Sequence, residues 1–368
     1  MVTCDVFIAG LGVMGGALAR SLARAGLRVA GCDALQPPHR MGSSHGESRI
    51  IRAAYFEDPI YTPLALQAFH DWRALEQETG RSLLRVTGGL NIGPPNGMLV
   101  SGALASARQH GLAHELLSSA EVMRRHPGLR VRTGHVAVFE PDAGILDPEG
   151  CVAALLESAQ SAGAELHFDQ PLHSWTRRNE FTIETNGGTY RAKSLVLAVG
   201  AWLPAFKPEL PLIVTRQPIF WFDTVEPEFY SERRLPHYLI EFEPDRVFYG
   251  FPDLGGGLKC AIHHEGEPAR ADAVDRELRI DELDHVRALV AEFLPDALGP
   301  LRKSDVCLYT KTPDGHFLID RDATEPGLVL LSPCSGHGFK FAPALANLVA
   351  EAMASQAALP KVFACDRW

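Results

Sequence analysis

Four segments of the chain gather cations or reactive groups in glycine-rich surroundings. The first, GSSHGESRIIR at residues 42–52, carries Arg49 and Arg52. On a helical reading these are i and i+3, which turns both guanidinium groups to one side. Paired arginines suit a carboxylate or phosphate; a solvated basic face is the competing reading. The second, YGFPDLGGGLK at 249–259, runs from Tyr249 to Lys259 and is followed by His263. If Lys259 opens a strand, His263 four residues on shares its face, and a fixed ammonium there stabilises a developing anion. An edge-strand lysine that blocks association is the competing reading. The third, CLYTKTPD at 307–314, puts Cys307 and Tyr309 ahead of a turn, where a lone cysteine also serves as a small buried hydrophobe. The fourth, SGHGFKF at 335–341, flanks His337 with Gly336 and Gly338 and adds Phe339 and Lys340 at the start of the last helix. Backbone, imidazole and ammonium can converge there on one ligand, and a helix start presents free N–H groups to an anion.

These groups need a scaffold, and its first piece is legible near the N-terminus. Residues 6–9 read as a short buried strand, followed by Gly10, Gly12 and Gly15 in a G-x-G-x-x-G turn and by an apolar-periodic helix over 17–25. Gly26 stops that helix, 27–32 read as a second strand, and Asp33 stands at its end. The first glycine permits the tight turn, the second lets backbone approach a pyrophosphate and the third lets helix pack on strand, while Asp33 accepts ribose hydroxyls. This predicts a dinucleotide site. Asn186-Gly187 between 181–185 and 189–190 predicts a hairpin, and a strand over 194–199 running into Gly200 and Trp202 suggests a second approach to the cofactor. Aromatic and β-branched runs at 219–222, 238–242 and 246–251 predict an antiparallel sheet. A charged helix over 273–293, returning strands at 317–319 and 328–331, and a final helix over 342–354 complete the reading. The expected fold class is α/β, with a Rossmann-like dinucleotide domain (1–85, 150–212 and 305–368) interleaved with a mostly antiparallel β-sheet substrate domain (86–149 and 213–304).

Composition bounds the function. The 368 residues are 46% hydrophobic and 22% charged, enough for a sizeable core. Thirty-five Lys and Arg against 45 Asp and Glu give a net charge of −10, which argues against coating nucleic acid or an anionic membrane. No apolar run reaches the roughly 18 residues of a membrane span, the start of the chain lacks a basic n-region with a cleavage site, and residues 364–368 do not form a peroxisomal tripeptide, so a cytoplasmic location is expected. Seven scattered cysteines without a C-x-x-C pair argue against a disulfide framework or a metal site.

Taken in order, GLGVMG, PPHRMGSSHGESRIIR, YGFPDLGGGLK with its following histidine, CLYTKTPD and SGHGFKF resemble the monomeric sarcosine oxidase and N-methyltryptophan oxidase family of flavoproteins over nearly the whole chain. The resemblance implies a glutathione-reductase-like FAD domain joined to an antiparallel substrate domain, and FAD bound covalently through a cysteine, here Cys307. It carries flavin contacts onto Gly10, Gly12, Val13, Met14, Gly15, Asp33, Ala34, Ser43, Ser44, Arg49, Ile50, Leu172, Gly200, Trp202, Gly336, His337, Gly338, Phe339 and Lys340. It assigns Arg52 and Lys340 to a substrate carboxylate, Lys259 to the reaction of reduced flavin with oxygen, Arg49 to a cation over the flavin, and His263, Tyr249, His337 and Tyr309 to the pocket. Departures fall on the amine side: Ser44-His45 stands where many relatives have His-His, Ser48 for Thr, Ala53 for His, and the stretch before Lys259 is one residue shorter.

The activity implied is oxidation of a secondary amine bearing a carboxylate, such as sarcosine or another N-methyl amino acid, to an imine that hydrolyses to aldehyde and amino acid, with O2 reduced to hydrogen peroxide. A monomer or small homo-oligomer without nucleic acid, membrane or metal is expected. The alternatives are a cyclic imino-acid oxidase of the pipecolate or proline type, a flavin dehydrogenase with another acceptor, an NAD-dependent dehydrogenase, whose Gly turn and acid look the same, and a non-catalytic flavin-binding subunit.

Overall fold

The computed structural model describes residues 2–355 and 357–368. The strand Val2–Ala9 is buried on both faces from Val6 onward, which requires a packed layer over each face of its sheet. It pairs in parallel with Val29–Cys32 on one side and with Gly188–Leu197 on the other. The sheet continues past Val29–Cys32 to Glu165–His167, and past Gly188–Leu197 to the antiparallel strands Phe181–Thr185 and Leu172–Arg177. Gly188–Leu197 changes partner along one edge, because Leu195 to Leu197 pair in parallel with Leu328–Ser332, which in turn pairs antiparallel with Leu318–Arg321. The hairpin expected at Asn186-Gly187 and the strand expected over 194–199 are therefore one continuous element. Helices Val13–Arg24, Thr62–Thr79, Pro148–Ser161 and Ala342–Ser355 contribute Leu18, Leu22, Trp72, Leu155 and Val349 to the core beside this sheet.

A second eight-stranded sheet runs in the order Leu301–Lys311, Ile213–Phe222, Leu258–His263, Arg246–Gly250, His237–Glu243, Gly89–Gly93, Val136–Glu140, Glu115–Ser118. All its junctions are antiparallel except that between His237–Glu243 and Gly89–Gly93. Its aromatic strands bury Phe220, Phe222, Tyr238 and Phe248 against the helix Ile280–Phe293. A small sheet of Arg49–Ile51, Gly144–Leu146 and Leu84–Val86 completes the strand set of the described residues. No described helix is long and apolar enough to cross a membrane.

Three local expectations change. Residues 42–52 form turns and the strand Arg49–Ile51, not a helix. Gly46 and Glu47 take left-handed φ of 108° and 65°, which breaks helical geometry, and the β-branched pair Ile50-Ile51 suits a strand. Cys307 lies inside the strand Leu301–Lys311, paired with Gln217 and ahead of the turn at 313–315. That strand belongs to the second sheet, so the boundary expected at 305 falls within it. The charged stretch from 273 becomes helical only at Ile280, after the short turn Ala271–Ala273.

Two contacts fix the segments that carry the site. At Gly15 a Cβ would stand 1.8 Å from the Gly10 carbonyl oxygen, so the first helix meets its strand backbone to backbone. Glu140 is 3% exposed, and its two oxygens accept the Ala53 and Ala54 N–H groups at 2.7 and 2.9 Å, stapling the chain after Arg52 to the second sheet. Gly15→Ala should cost at least about 2 kcal/mol in urea unfolding, the size of an overpacked core. Glu140→Leu leaves two buried N–H groups unpaired and should cost about 2–4 kcal/mol; a parental midpoint and slope would contradict either assignment.

Candidate functional site

A cavity of about 460 Å³ runs between the two large sheets, from the Gly10–Gly12 turn to Arg52 and Lys340. At the first end, Asp33 Oδ2 accepts the Leu11 N–H at 2.7 Å and Oδ1 accepts the Leu35 N–H at 3.0 Å, which locks the turn to the end of the second strand. Gly12 caps the helix Val13–Arg24 without a side chain, so the positive end of the helix faces the cavity. Ser332 lines the cavity with a buried hydroxyl that has no protein partner. An elongated cleft with an open helix start, an acid on the second strand and a free hydroxyl fits a dinucleotide cofactor.

At the other end, Arg52 is 3% exposed. Its Nη1 donates to Ala54 O at 3.1 Å, and Nη2 donates to both oxygens of Glu57 at 2.9 and 2.7 Å. Burial pushes the Glu57 carboxyl up, and the Arg52 guanidinium more than offsets this, so Glu57 stays below its usual value. Lys340 Nζ donates to His337 O at 2.7 Å and to the Tyr55 hydroxyl at 3.3 Å. Burial and the neighbouring Arg52 bring Lys340 down to about 7. Glu57 pairs with Arg52, whereas Lys340 has only the His337 carbonyl and the Tyr55 hydroxyl, so an anion entering this end would meet a buried amine without a carboxylate of its own.

Cys307 lies against a second cationic group. Arg49 Nη2 donates to Ser43 O at 3.0 Å and approaches Cys307 Sγ at 3.4 Å, while its Nη1 donates to Ser48 O. Burial alone would push the thiol up; Arg49 and His45 more than offset it and bring Cys307 down to about 7. His45 is 1% exposed, donates to Gly42 O through Nε2 and stands 3.4 Å from Asp305 through Nδ1. A buried thiol brought down beside a guanidinium has more thiolate character than Cys260, Cys32 and Cys4, which burial pushes up.

Lys259 lies in a central strand, between Ile213–Phe222 and Arg246–Gly250, so it is no edge device. Its Nζ donates to Gly46 O at 2.7 Å, Ser48 O at 2.9 Å and Ser48 Oγ at 3.2 Å, three acceptors for the three N–H groups of an ammonium. Burial and Arg49 hold its pKa well below the usual lysine value, and an anion in the cavity would raise it again. The remaining wall is neutral. His263 Nδ1 meets the Tyr309 hydroxyl at 3.1 Å, and burial with surrounding cations holds His263 well below its usual value. Tyr249, pushed by burial up to about 12, also bonds Tyr309.

Every residue singled out from the sequence lines this cavity except Gly15, whose place is the helix-strand contact. Arg49 and Arg52 reach it from a strand and the turn beyond it, not from one helix face. Glu57, His45, Ser332 and Tyr55 were missed. Glu57 and His45 sit within or near a motif already marked, whereas Tyr55 stands in the apolar run Ala53-Ala54-Tyr55-Phe56, which reads as core.

Residues 5–352 match the model of the family described as FAD dependent oxidoreductase. A monomeric sarcosine oxidase from Streptomyces avermitilis is 38% identical over 95% of this chain and 93% of its own length. An N-methyl-L-tryptophan oxidase from Yersinia pestis is 32% identical over 94% of both. Among solved structures, NikD, titled an unusual amino acid oxidase essential for nikkomycin biosynthesis, superposes with a TM-score of 0.87 at 23% identity over 99% of this chain and 98% of its own, a likeness of fold. With alignment running through both ends of the cavity and over nine-tenths of each relative, the chain belongs to the FAD-dependent oxidoreductases and, among them, to the group of monomeric sarcosine oxidase and N-methyl-L-tryptophan oxidase.

Proposed function

We propose that the protein oxidises a secondary amine bearing a carboxylate, with N-methyl amino acids as the substrate class and O2 as electron acceptor. The observation that carries this reading is the convergence of buried Arg52 and Lys340 at one end of a cavity whose other end fits a dinucleotide. The names of the relatives support the same class. Segments 1–85, 150–212 and 305–368 supply most of the cofactor end and segment 213–304 the opposite wall, while 86–149, grouped with 213–304 as the second domain, contributes strands to the sheet behind that wall.

Bound FAD supplies the hydride acceptor and the path of the electron pair to oxygen, with hydrogen peroxide and an imine as the products. Gly10, Gly12, Val13, Met14, Asp33, Ala34, Ser43, Ser44, Leu172, Gly200 and Trp202 would hold its nucleotide portion. Arg49, Ile50, Gly336, Gly338 and Phe339 would hold its ring system, and Cys307 would bond it covalently. Arg52 and Lys340 take the substrate carboxylate, which fixes the position of the amine and converts a collision into an oriented contact. Their charge also lowers the pKa of the substrate ammonium, favouring the neutral amine that oxidation requires. His263, Tyr249 and Tyr309, hydrogen-bonded and uncharged, line the amine without competing for the carboxylate, and His337 orients the clamp. Lys259, held in place by Gly46 and Ser48, offers a fixed positive charge to an oxygen species that gains electrons.

Three measurements test the reading. Acid precipitation should leave the yellow colour with the pellet in the parent and release it in Cys307→Ala; colour in the parental supernatant would refute the covalent bond. Anaerobic addition of N-methyl amino acids should bleach the flavin, and bleaching by pipecolate alone would move the substrate class to cyclic imino acids. In stopped flow, Lys259→Met should slow reoxidation at least about 100-fold and reduction far less; equal slowing of both would remove Lys259 from the oxygen step.

A further inference from the structure

Tyr55 is fully buried and does not line the cavity, yet it touches every part of the cationic end. The Arg52 guanidinium stacks 4.3 Å from its ring centroid, and the Lys340 ammonium stands 5.1 Å from the same centroid. Its hydroxyl lies 3.3 Å from Lys340 Nζ and 2.6 Å from His337 Nδ1. His337 Nε2 lies 3.0 Å from Gly315 O, a carbonyl that only accepts, so Nε2 carries the hydrogen. Burial brings His337 down to about 4, which leaves it neutral near pH 7 with Nδ1 bare. The Tyr55 hydroxyl therefore donates to Nδ1 and turns a lone pair to Lys340. Ser106 Oγ bonds the Tyr55 carbonyl and fixes the backbone.

We propose that Tyr55 is the positioning residue of the carboxylate clamp: its ring carries Arg52, and its hydroxyl, oriented by His337, fixes Lys340 with one N–H free for the substrate. The proposal rests on the reading of Arg52 and Lys340 as that clamp. The selection of amino acids over simple amines then depends on a side chain behind the cavity wall. The hydroxyl accepts from the charged form of Lys340, so its loss lowers the pKa of that amine further. The other groups facing Lys340 are Arg52, Arg49, Glu57 and His337, with His237 and His263 beyond them, and all are retained when only the Tyr55 oxygen is removed.

The test uses holoenzyme with Tyr55→Phe and, as a control, Tyr61→Phe, a neighbouring buried tyrosine whose hydroxyl bonds His316 instead. Acetate binding, read from the visible spectrum of the oxidised protein, is followed against pH alongside turnover of an N-methyl amino acid. In the parent, acetate binds while Lys340 is protonated and is lost as pH rises through its pKa. Tyr55→Phe should weaken acetate binding and raise KM about tenfold, leave kcat within about threefold, and move the alkaline loss of binding down by about one pH unit. Tyr61→Phe should match the parent. Parental affinity and pH limb in Tyr55→Phe, or equal losses in both variants, would overturn the proposal. A parent that binds acetate no better than 1-propanol would overturn the clamp reading itself, and the proposal with it.

Discussion

Four basic side chains, Arg52, Lys259 and Lys340 buried and Arg49 half-buried, surround one cavity, and the arrangement of the site answers that constraint. Cations in a low-dielectric interior cost free energy unless oxygen atoms surround them. Here the oxygens are mostly main-chain carbonyls: Ser43 and Ser48 for Arg49, Ala54 for Arg52, Gly46 and Ser48 for Lys259, His337 for Lys340. Carbonyls solvate a cation without cancelling its charge. A carboxylate beside each cation would have removed the positive potential that the proposed binding of an anionic substrate as a neutral amine calls for.

Carbonyls aimed inward are incompatible with a helix, whose carbonyls all bond internally. This explains why the segment between residues 42 and 58 is largely irregular although it lies among buried elements. The titratable groups divide along the same line. The two lysines fall below their usual values, the histidines facing them stay neutral, and Cys307 moves toward the thiolate because it stands beside Arg49. One electrostatic field thus underlies both the proposed carboxylate binding and the proposed bond through Cys307.

Features that depend on backbone were legible in the sequence. The Gly10–Gly15 turn with Asp33, the Asn186-Gly187 hairpin and the aromatic strands each follow from local conformational preference. The five motifs also located the cavity lining, since their glycines mark where backbone approaches a ligand. The geometry of Arg49 and Arg52 was not legible, because spacing alone suits a helix, while the left-handed turn at Gly46 and Glu47 is held by Glu149 from 102 residues away. Tyr55 was hidden for a related reason. An aromatic residue in an apolar run has the same local signature whether its hydroxyl orders a site or merely fills a core.

The acids near the cavity serve the backbone more than the cations. Glu149 accepts the Gly46 and Glu47 N–H groups, Glu140 accepts those of Ala53 and Ala54, and only Glu57 bonds a clamp cation directly. The two backbone-binding carboxylates stand at opposite ends of residues 46–54, the stretch that carries Arg49 and Arg52 and solvates Lys259. A taut chain between two anchors holds its carbonyls in fixed directions, so the cations do not have to be positioned by salt bridges of their own. Glu57 differs in that it occupies Arg52 with the same two-oxygen geometry a substrate carboxylate would use. Negative charge near this site is thus divided between anchors on the main chain, Glu140 and Glu149, and one side chain, Glu57, that holds the guanidinium proposed to take the substrate carboxylate.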